Sequence, residues 1–89
     1  METPKIIVHF VSVGSAILKN PFVKVKADEP FQVVMSYLRK QLRVRSGDGL
    51  YLYVNAAFAP SPDELVGNLY RCFGNKKLVV HYSQTPAYG

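Results

Sequence analysis

The stretch DEPFQVVMSYLRKQL, residues 28–42, carries the clearest structural signal in this sequence. Its apolar side chains recur at helical spacing, at Phe31, Val34, Met35, Leu38 and Leu42. A single apolar stripe of this period predicts an amphipathic helix that buries one face. Asp28 is suited to cap the helix, and Pro30 is suited to its first turn, where the missing N–H costs nothing.

Four runs rich in β-branched and aromatic residues lie around this helix and predict strands. They cover residues 5–13, 22–27, 50–54 and 78–82. The short link between the first two runs predicts an antiparallel hairpin. The crossover that the helix carries predicts that the first and third strands are parallel neighbours. In the third run Tyr51 and Tyr53 alternate with aliphatic residues, so we expect the tyrosines on the face of the sheet away from the core.

A second, shorter helix is predicted to begin at Ser61-Pro62-Asp63-Glu64. Ser61 is suited to cap the backbone N–H near Glu64, and Pro62 to occupy the first helical position. The buried stripe of this helix is expected to contain Leu65, Leu69 and Cys72 or Phe73. We therefore expect Cys72 to be a core thiol rather than a reactive nucleophile.

The predicted elements follow one another as strand, strand, long helix, strand, short helix, strand. A helix with one apolar face must bury it against one face of a sheet, which gives a two-layer α+β domain. This is the element order of a β-grasp, the ubiquitin-like fold with a mixed sheet, although a split βαβ arrangement has a similar order. We expect a domain over residues 1–82 and a flexible C-terminal tail over residues 83–89.

Length and composition limit the class of protein. The chain has 89 residues, enough for one domain, and its only cysteine excludes an internal disulfide. No apolar run approaches the ~18 residues of a membrane-spanning helix, and no signal peptide pattern opens the chain, so we expect a soluble intracellular protein. The net charge of +5 fits nucleic acid, anionic lipid or an acidic protein as partner, without choosing among them.

No catalytic or metal-binding pattern is visible in the sequence. His9 and His81 lie in strand-like runs without the Ser, Cys or Asp neighbours of a catalytic triad, and no metal-ligand spacing occurs. Asp63 and Glu64 fit the first turn of a helix better than a pair of catalytic carboxylates. We therefore expect neither an enzyme nor a bound cofactor or metal.

Two features point to interactions with other proteins. Tyr51, Tyr53 and Phe58 could form an exposed aromatic platform, although rings that simply cover the sheet are an equally good interpretation. The seven residues of the tail could reach about 20–25 Å when extended. Gly89 has no Cβ, so its carboxylate can enter a narrow catalytic channel that a side chain would block.

Several strings in the second half of the chain match a known family. They are Tyr53-Val54-Asn55, the run FAPSPDE from Phe58 to Glu64, Leu69-Tyr70, Phe73-Gly74, Lys77-Leu78-Val79, Tyr82 and Ala87-Tyr88-Gly89. With these strings the chain resembles the ubiquitin-like autophagy modifiers of the autophagy-related protein twelve family. The resemblance is dense from Leu50 to Gly89 and looser from Lys5 to Val44. Members of the family often carry a long, variable extension before this region.

The resemblance implies a β-grasp protein that acts in autophagy and is conjugated through Gly89 to a lysine of autophagy-related protein five. An activating enzyme, autophagy-related protein seven, would adenylate Gly89 and take it as a thioester, and the conjugating enzyme autophagy-related protein ten would transfer it. The conjugate, with the coiled-coil autophagy-related protein sixteen, would promote attachment of a second ubiquitin-like protein to phosphatidylethanolamine. It would recruit the conjugating enzyme autophagy-related protein three, in the cytoplasm and at the forming autophagosome.

The same resemblance implies which residues bind partners. Tyr53, Phe58, Lys5 and Lys19 match positions of the surface that recruits protein three, and Phe22 stands where the family often has Trp. In the tail, Gly89 matches the conjugated glycine. Tyr88 replaces the usual penultimate Trp of the family, so we expect Ala87 and Tyr88 to dock on the partner with altered packing.

Two other functions remain open at this point. The chain could be a noncovalent β-grasp adaptor whose tail plays no part, or it could assemble with protein five without a covalent bond. Nucleic-acid binding is disfavoured because the basic residues are spread along the chain and are not clustered with the aromatic residues.

Overall fold

The computed structural model of the chain describes residues 4–14, 17–44, 49–54, 58–74 and 76–84. Its elements are β1 (Lys5–Ser12), β2 (Phe22–Lys26), α1 (Phe31–Leu42), β3 (Tyr51–Val54), α2 (Val66–Phe73) and β4 (Leu78–Ser83). The order of strands and helices agrees with the prediction, and each predicted strand boundary lies within one residue of the observed one.

The four strands form one mixed sheet in the order β2-β1-β4-β3. Strand β1 pairs antiparallel with β2, as predicted, and parallel with β4, while β3 pairs antiparallel with β4. The prediction that the first and third strands are parallel neighbours is therefore wrong, because β4 lies between them. The continuous apolar run Leu78-Val79-Val80 suits a central strand, whereas the alternating tyrosines of β3 suit an edge.

The core lies between α1 and one face of the sheet. Phe31, Val34 and Leu38 of the α1 stripe are buried, and Met35 and Leu42 are partly buried against the same cluster. The sheet supplies Ile6, Val8, Phe10, Val25, Leu52, Val54, Leu78, Val80 and Tyr82. These residues alternate along their strands, so the opposite face of the sheet is left uncovered by α1. The predicted two-layer α+β architecture is confirmed.

Helix α1 begins without a side-chain cap. The predicted cap, Asp28, is wrong, because the N-cap residue is Pro30 and no side chain bonds the first turn. The first two N–H groups of α1 donate instead to the backbone carbonyls of Glu64 (2.7 Å) and Pro62 (3.0 Å). The segment before α2 therefore satisfies N–H groups that an isolated helix leaves unpaired.

Helix α2 begins at Val66, four residues later than predicted. The N–H groups of Val66 and Gly67 donate to the carbonyls of Glu29 (2.9 Å) and Ala27 (2.8 Å), which precede α1. Ser61 does not cap the helix. Its hydroxyl instead accepts a hydrogen bond from the backbone N–H of Asp63, in a turn that precedes α2. Each helix thus begins where the segment before the other helix can accept its first N–H groups.

The later start changes which residues of α2 face the core. Val66 and Leu69 are buried and Tyr70 is partly buried. The exposed members of the predicted stripe are Leu65, Cys72 and Phe73. The expectation of a core thiol at Cys72 is therefore wrong, because Cys72 lies about 100° around the helix from the middle of the buried face.

The chain leaves the sheet at the end of β4. This strand ends at Ser83, and Gln84 follows it. Residues 85–89 lie outside the described residues, so the division into a domain over 1–82 and a tail over 83–89 stays a prediction. Within the described ranges, no helix is long and apolar enough to cross a membrane.

Candidate functional site

The face of the sheet opposite α1, which we call the open face, carries the side chains that alternate with the core residues. It consists of Lys5, Ile7, His9 and Val11 of β1, Phe22, Lys24 and Lys26 of β2, Val79 and His81 of β4, and Tyr51 and Tyr53 of β3. The register places Phe22 opposite His9 and places His9 beside Val79. The open face therefore has an aromatic pair, His9 and Phe22, on its β1–β2 side and a lysine-rich end.

Phe22 is a surface residue on the edge strand β2 of the open face. Its ring stacks on the imidazole of His9, with centroids 4.4 Å apart and an interplanar angle of 14°. The Nζ atom of Lys77 lies 5.8 Å from the centroid of the same ring, within reach of a cation–π interaction. Phe22 nevertheless remains 45% exposed, so its ring is held in place while a large part of it stays accessible to a partner.

Burial changes the chemistry of His9 on this face. The Nδ1 atoms of His9 and His81 are buried and have no hydrogen-bond partner in the described part of the chain. Burial first, and then the positive charges of Lys77 and His81, lower the pKa of His9 from its ordinary value of 6.5. The imidazole of His9 is thereby kept neutral near pH 7, which suits its stacking against a phenyl ring.

A basic cleft of about 530 Å³ opens between the start of β1 and α2. Its lining includes Lys5, Arg71, Lys76, Ile7 and Tyr70. Three of these residues are basic, and none of the described residues that line the cleft is acidic. A smaller cleft of about 290 Å³ lies beside Phe22, and Ile7 lines both this cleft and the basic cleft. Apolar surface bordered by positive charge fits an acidic protein segment with apolar side chains.

Phe58 lies at the other edge of the sheet. Its backbone makes two hydrogen bonds with that of Val54, which places it outside β3. Its ring is 46% exposed and stacks on Phe73 with centroids 5.3 Å apart. Because β2 and β3 form opposite edges of the sheet, Phe58 and Phe22 are separated by the full width of the sheet, about 14 Å between the edge strands.

The structure divides the predicted partner-binding residues into two groups. Lys5 and Phe22 lie on the β1–β2 side, whereas Tyr53 and Phe58 lie on the β3 side, and Tyr53 is half-buried opposite His81. Lys19 is exposed in the loop before β2. The predicted residues Ala87, Tyr88 and Gly89 lie outside the described residues.

Sequence reasoning missed four residues of the site. They are His9, Lys77, Arg71 and Lys76. The first two contact Phe22 and the last two line the basic cleft. The pairing of β1 with β2 and with β4, and the packing of α2 beside β1, bring them there, so no local pattern could have found them. No group of acidic, His and Cys side chains that could hold a metal occurs among the residues that the structure describes.

Comparison with protein families gives a match over most of the chain. A family model described as "Ubiquitin-like autophagy protein Apg12" matches residues 5–89. The ubiquitin-like protein ATG12 of Gibberella zeae is 53% identical over 91 residues, covering 99% of this chain and 57% of the relative. The ubiquitin-like protein ATG12 of Cryptococcus neoformans is 49% identical over 88 residues, covering 97% of this chain and 84% of the relative. The chain thus spans little more than half of the first relative.

Comparison with solved structures identifies the fold. The crystal structure of ATG8 from Trypanosoma brucei superposes with a TM-score of 0.79, covering 96% of this chain and 77% of that one. The two sequences are only 17% identical, so the similarity concerns the fold alone. The predicted β-grasp, ubiquitin-like fold is confirmed.

Proposed function

Because this chain belongs to the ubiquitin-like autophagy protein Apg12 family, we propose that it is a protein modifier joined through the carboxylate of Gly89 to a lysine of autophagy-related protein five. The observation that carries the proposal is the family match, which extends from residue 5 through Gly89 itself. The β-grasp fold supports it, because the last strand, β4, ends at Ser83, six residues before Gly89.

The proposed chemistry has four steps, all at the terminal carboxyl group of Gly89. The carboxylate of Gly89 attacks the α-phosphate of ATP on the activating enzyme, autophagy-related protein seven, and pyrophosphate leaves. The thiolate of that enzyme then displaces AMP and forms a thioester. The thioester passes to the conjugating enzyme, autophagy-related protein ten, and a lysine amine of protein five displaces the thiol to form an amide. Gly89 suits these steps because no side chain obstructs its carbonyl carbon.

The conjugate is proposed to act through the open face and the basic cleft. Together with the coiled-coil autophagy-related protein sixteen, it recruits the conjugating enzyme autophagy-related protein three. It thereby promotes transfer of a second ubiquitin-like protein to phosphatidylethanolamine. The exposed ring of Phe22 and the positive charge of Lys5 support this role, because aromatic anchors beside complementary charge dominate protein interfaces.

The chain itself is proposed to be a substrate and a recruiting factor rather than an enzyme. Its proposed location is the cytoplasm, with recruitment to the membrane of the forming autophagosome through the conjugate. In this proposal the conjugation chemistry takes place at Gly89, and the folded domain recognises the partner proteins.

Incubation of the chain with its activating enzyme and ATP tests the proposal. We expect a band on non-reducing gels at the combined mass of the two proteins, which disappears on treatment with a thiol reductant. A variant that lacks Gly89 should give no band. Absence of the band from wild-type protein, with an activating enzyme that still charges another of its substrates, contradicts the proposal.

A second variant excludes a trivial source of the band. Cys72 is exposed and could form a disulfide with the enzyme, which a reductant would also break. The Cys72→Ser variant should therefore keep the band, because the expected linkage is a thioester to Gly89. If the substitution removes the band, the linkage is a disulfide and gives no support to the proposal.

A noncovalent adaptor is the second candidate function, and the exposed stack of Phe22 on His9 favours it, because this surface does not need the tail. Deletion of Tyr88 and Gly89 distinguishes the two functions. Unchanged affinity for protein five, with no conjugate in cells, favours the adaptor. Loss of the conjugate together with loss of lipidation of the second ubiquitin-like protein favours the modifier.

A further inference from the structure

One end of the sheet, which we call the exit edge, is the end from which the chain continues toward Gly89. It consists of Ser12, Val13, Tyr51, Tyr82, Ser83 and Gln84. The N–H of Val13 donates to the carbonyl of Tyr82 at 2.9 Å, and Tyr51 pairs with Ser83. The end of β1, the start of β3 and the end of β4 therefore meet at the point where the tail begins.

Two exposed apolar side chains lie at this edge. Val13 is 49% exposed, and Ile17, in the loop that joins β1 to β2, is 87% exposed. Ile17 is the most exposed of the large apolar residues in the described part of the chain. The next residue, Leu18, is buried in the core and anchors the loop, so Ile17 is presented to solvent from a loop that is held to the domain.

The length of the tail limits how far a bound enzyme can lie from the exit edge. Five residues follow Gln84, and fully extended they span at most about 18 Å. A folded domain of ordinary size is wider than this, since 100 residues have a radius of gyration of about 13 Å. An enzyme that holds Gly89 in its active site must therefore cover the exit edge. Ile17 lies in the loop that follows Val13, and four residues of chain place it at most about 14 Å from Val13.

We propose that Val13 and Ile17 form an apolar contact with the surface that borders the active site of the activating enzyme when Gly89 is bound there. The proposal rests on the proposed function and names the recognition surface for the first step of that function. Burial of these two exposed side chains against an apolar surface of the enzyme would gain free energy, because it removes their apolar area from water.

The rate of ATP–pyrophosphate exchange, which reports adenylation of Gly89, tests the contact. For Ile17→Ser we expect the KM for the chain to rise on the order of tenfold, as for an interface anchor, while kcat stays unchanged. The double variant Val13→Ser, Ile17→Ser should raise the KM further. The fold should be unaffected, which an unchanged urea midpoint for Ile17→Ser will show, because the side chain is almost fully exposed.

Leu65→Ser provides the matched control. Leu65 is also exposed and apolar, but it bridges to Pro30 at the opposite end of the sheet, about 23 Å along β1 from the exit edge. The KM measured with the Leu65→Ser variant should equal that measured with the wild type. A rise for Leu65→Ser as large as that for Ile17→Ser overturns the inference, because the effect is then not tied to the exit edge.

The outcomes separate this inference from the proposed function. A wild-type KM for the folded Ile17→Ser variant overturns the contact, and the proposed function still stands if deletion of Gly89 abolishes exchange. A wild-type chain that supports no exchange with an active enzyme overturns both.

Discussion

The imidazole of His9 and the phenyl ring of Phe22 lie parallel on neighbouring strands, 4.4 Å apart, on the face of the sheet that α1 leaves uncovered. The pairing fixes the orientation of an exposed ring and couples it to a titratable group.

The stability of the protein should fall on mild acidification because of His9. Burial, Lys77 and His81 lower the pKa of His9 below 6.5, so the unfolded chain binds this proton more readily than the folded one. The free energy of unfolding contributed by His9 is therefore fully present above pH 6.5 and is lost as the pH falls through the lower, folded pKa. Urea unfolding measured between about pH 7.5 and 5.5 should show this decrease as a slope of the free energy of unfolding against pH.

Two variants identify His9 as the source of that slope. His9→Phe keeps an aromatic ring against Phe22 and should flatten the dependence in this range. Lys77→Met should only reduce it, because burial remains the larger cause of the lowered pKa. An unchanged slope in His9→Phe would show that another group titrates.

Phe22→Ala should weaken binding of the conjugating enzyme, autophagy-related protein three, on the order of tenfold, since an exposed aromatic anchor is lost. Loss of the stack on His9 should lower the free energy of unfolding by only about 1 kcal/mol. Isothermal titration calorimetry measures the first effect and urea unfolding the second. Val33→Ala, at an exposed position of α1 away from the open face, is the control and should bind as the wild type does.

Phe58 and Phe73 should be energetically coupled across the outer edge of β3. Their rings stack 5.3 Å apart, and such pairs contribute about 0.5–1.5 kcal/mol, with the lower part of this range expected for rings that are partly exposed. A double-mutant cycle with Phe58→Ala and Phe73→Ala measures the coupling. A cycle with Phe58→Ala and Phe22→Ala is the control and should be additive. Additivity of Phe58 and Phe73 within about 0.3 kcal/mol is the result that contradicts the stack.

Gly67→Ala should destabilise the junction between the two helices. An added Cβ would lie 2.9 Å from both the Cβ and the carbonyl oxygen of Ala27, whose carbonyl accepts the N–H of Gly67. Overpacking, partly offset by the better helix propensity of alanine, should cost about 1–2 kcal/mol. Asn68→Ala, at the next and exposed position, should change stability by less than about 0.5 kcal/mol. Equal stability of the two variants in urea would show that the junction can widen without cost.

Features that depend on neighbours in the chain could be predicted from the sequence. The stripe of α1 was found correctly at Phe31, Val34 and Leu38, because helical period relates residues only three or four apart. The β1–β2 hairpin was predicted for the same reason. For the candidate site, the roles of Lys5, Phe22 and Gly89 were implied by family resemblance, and their roles in binding and conjugation stay predictions.

Short spacings and strings of residues were enough to predict the order of the elements, the face that α1 buries and the family. Only the tertiary structure decided that β4 lies in the centre of the sheet, that Cys72 is exposed, and that Phe22 and Phe58 lie at opposite edges. It also decided where the helices begin, through bonds such as that from the N–H of Gly67 to the carbonyl of Ala27. The reason is that these features depend on hydrogen bonds and packing between segments that are distant along the chain, and local propensity does not encode which distant segments meet.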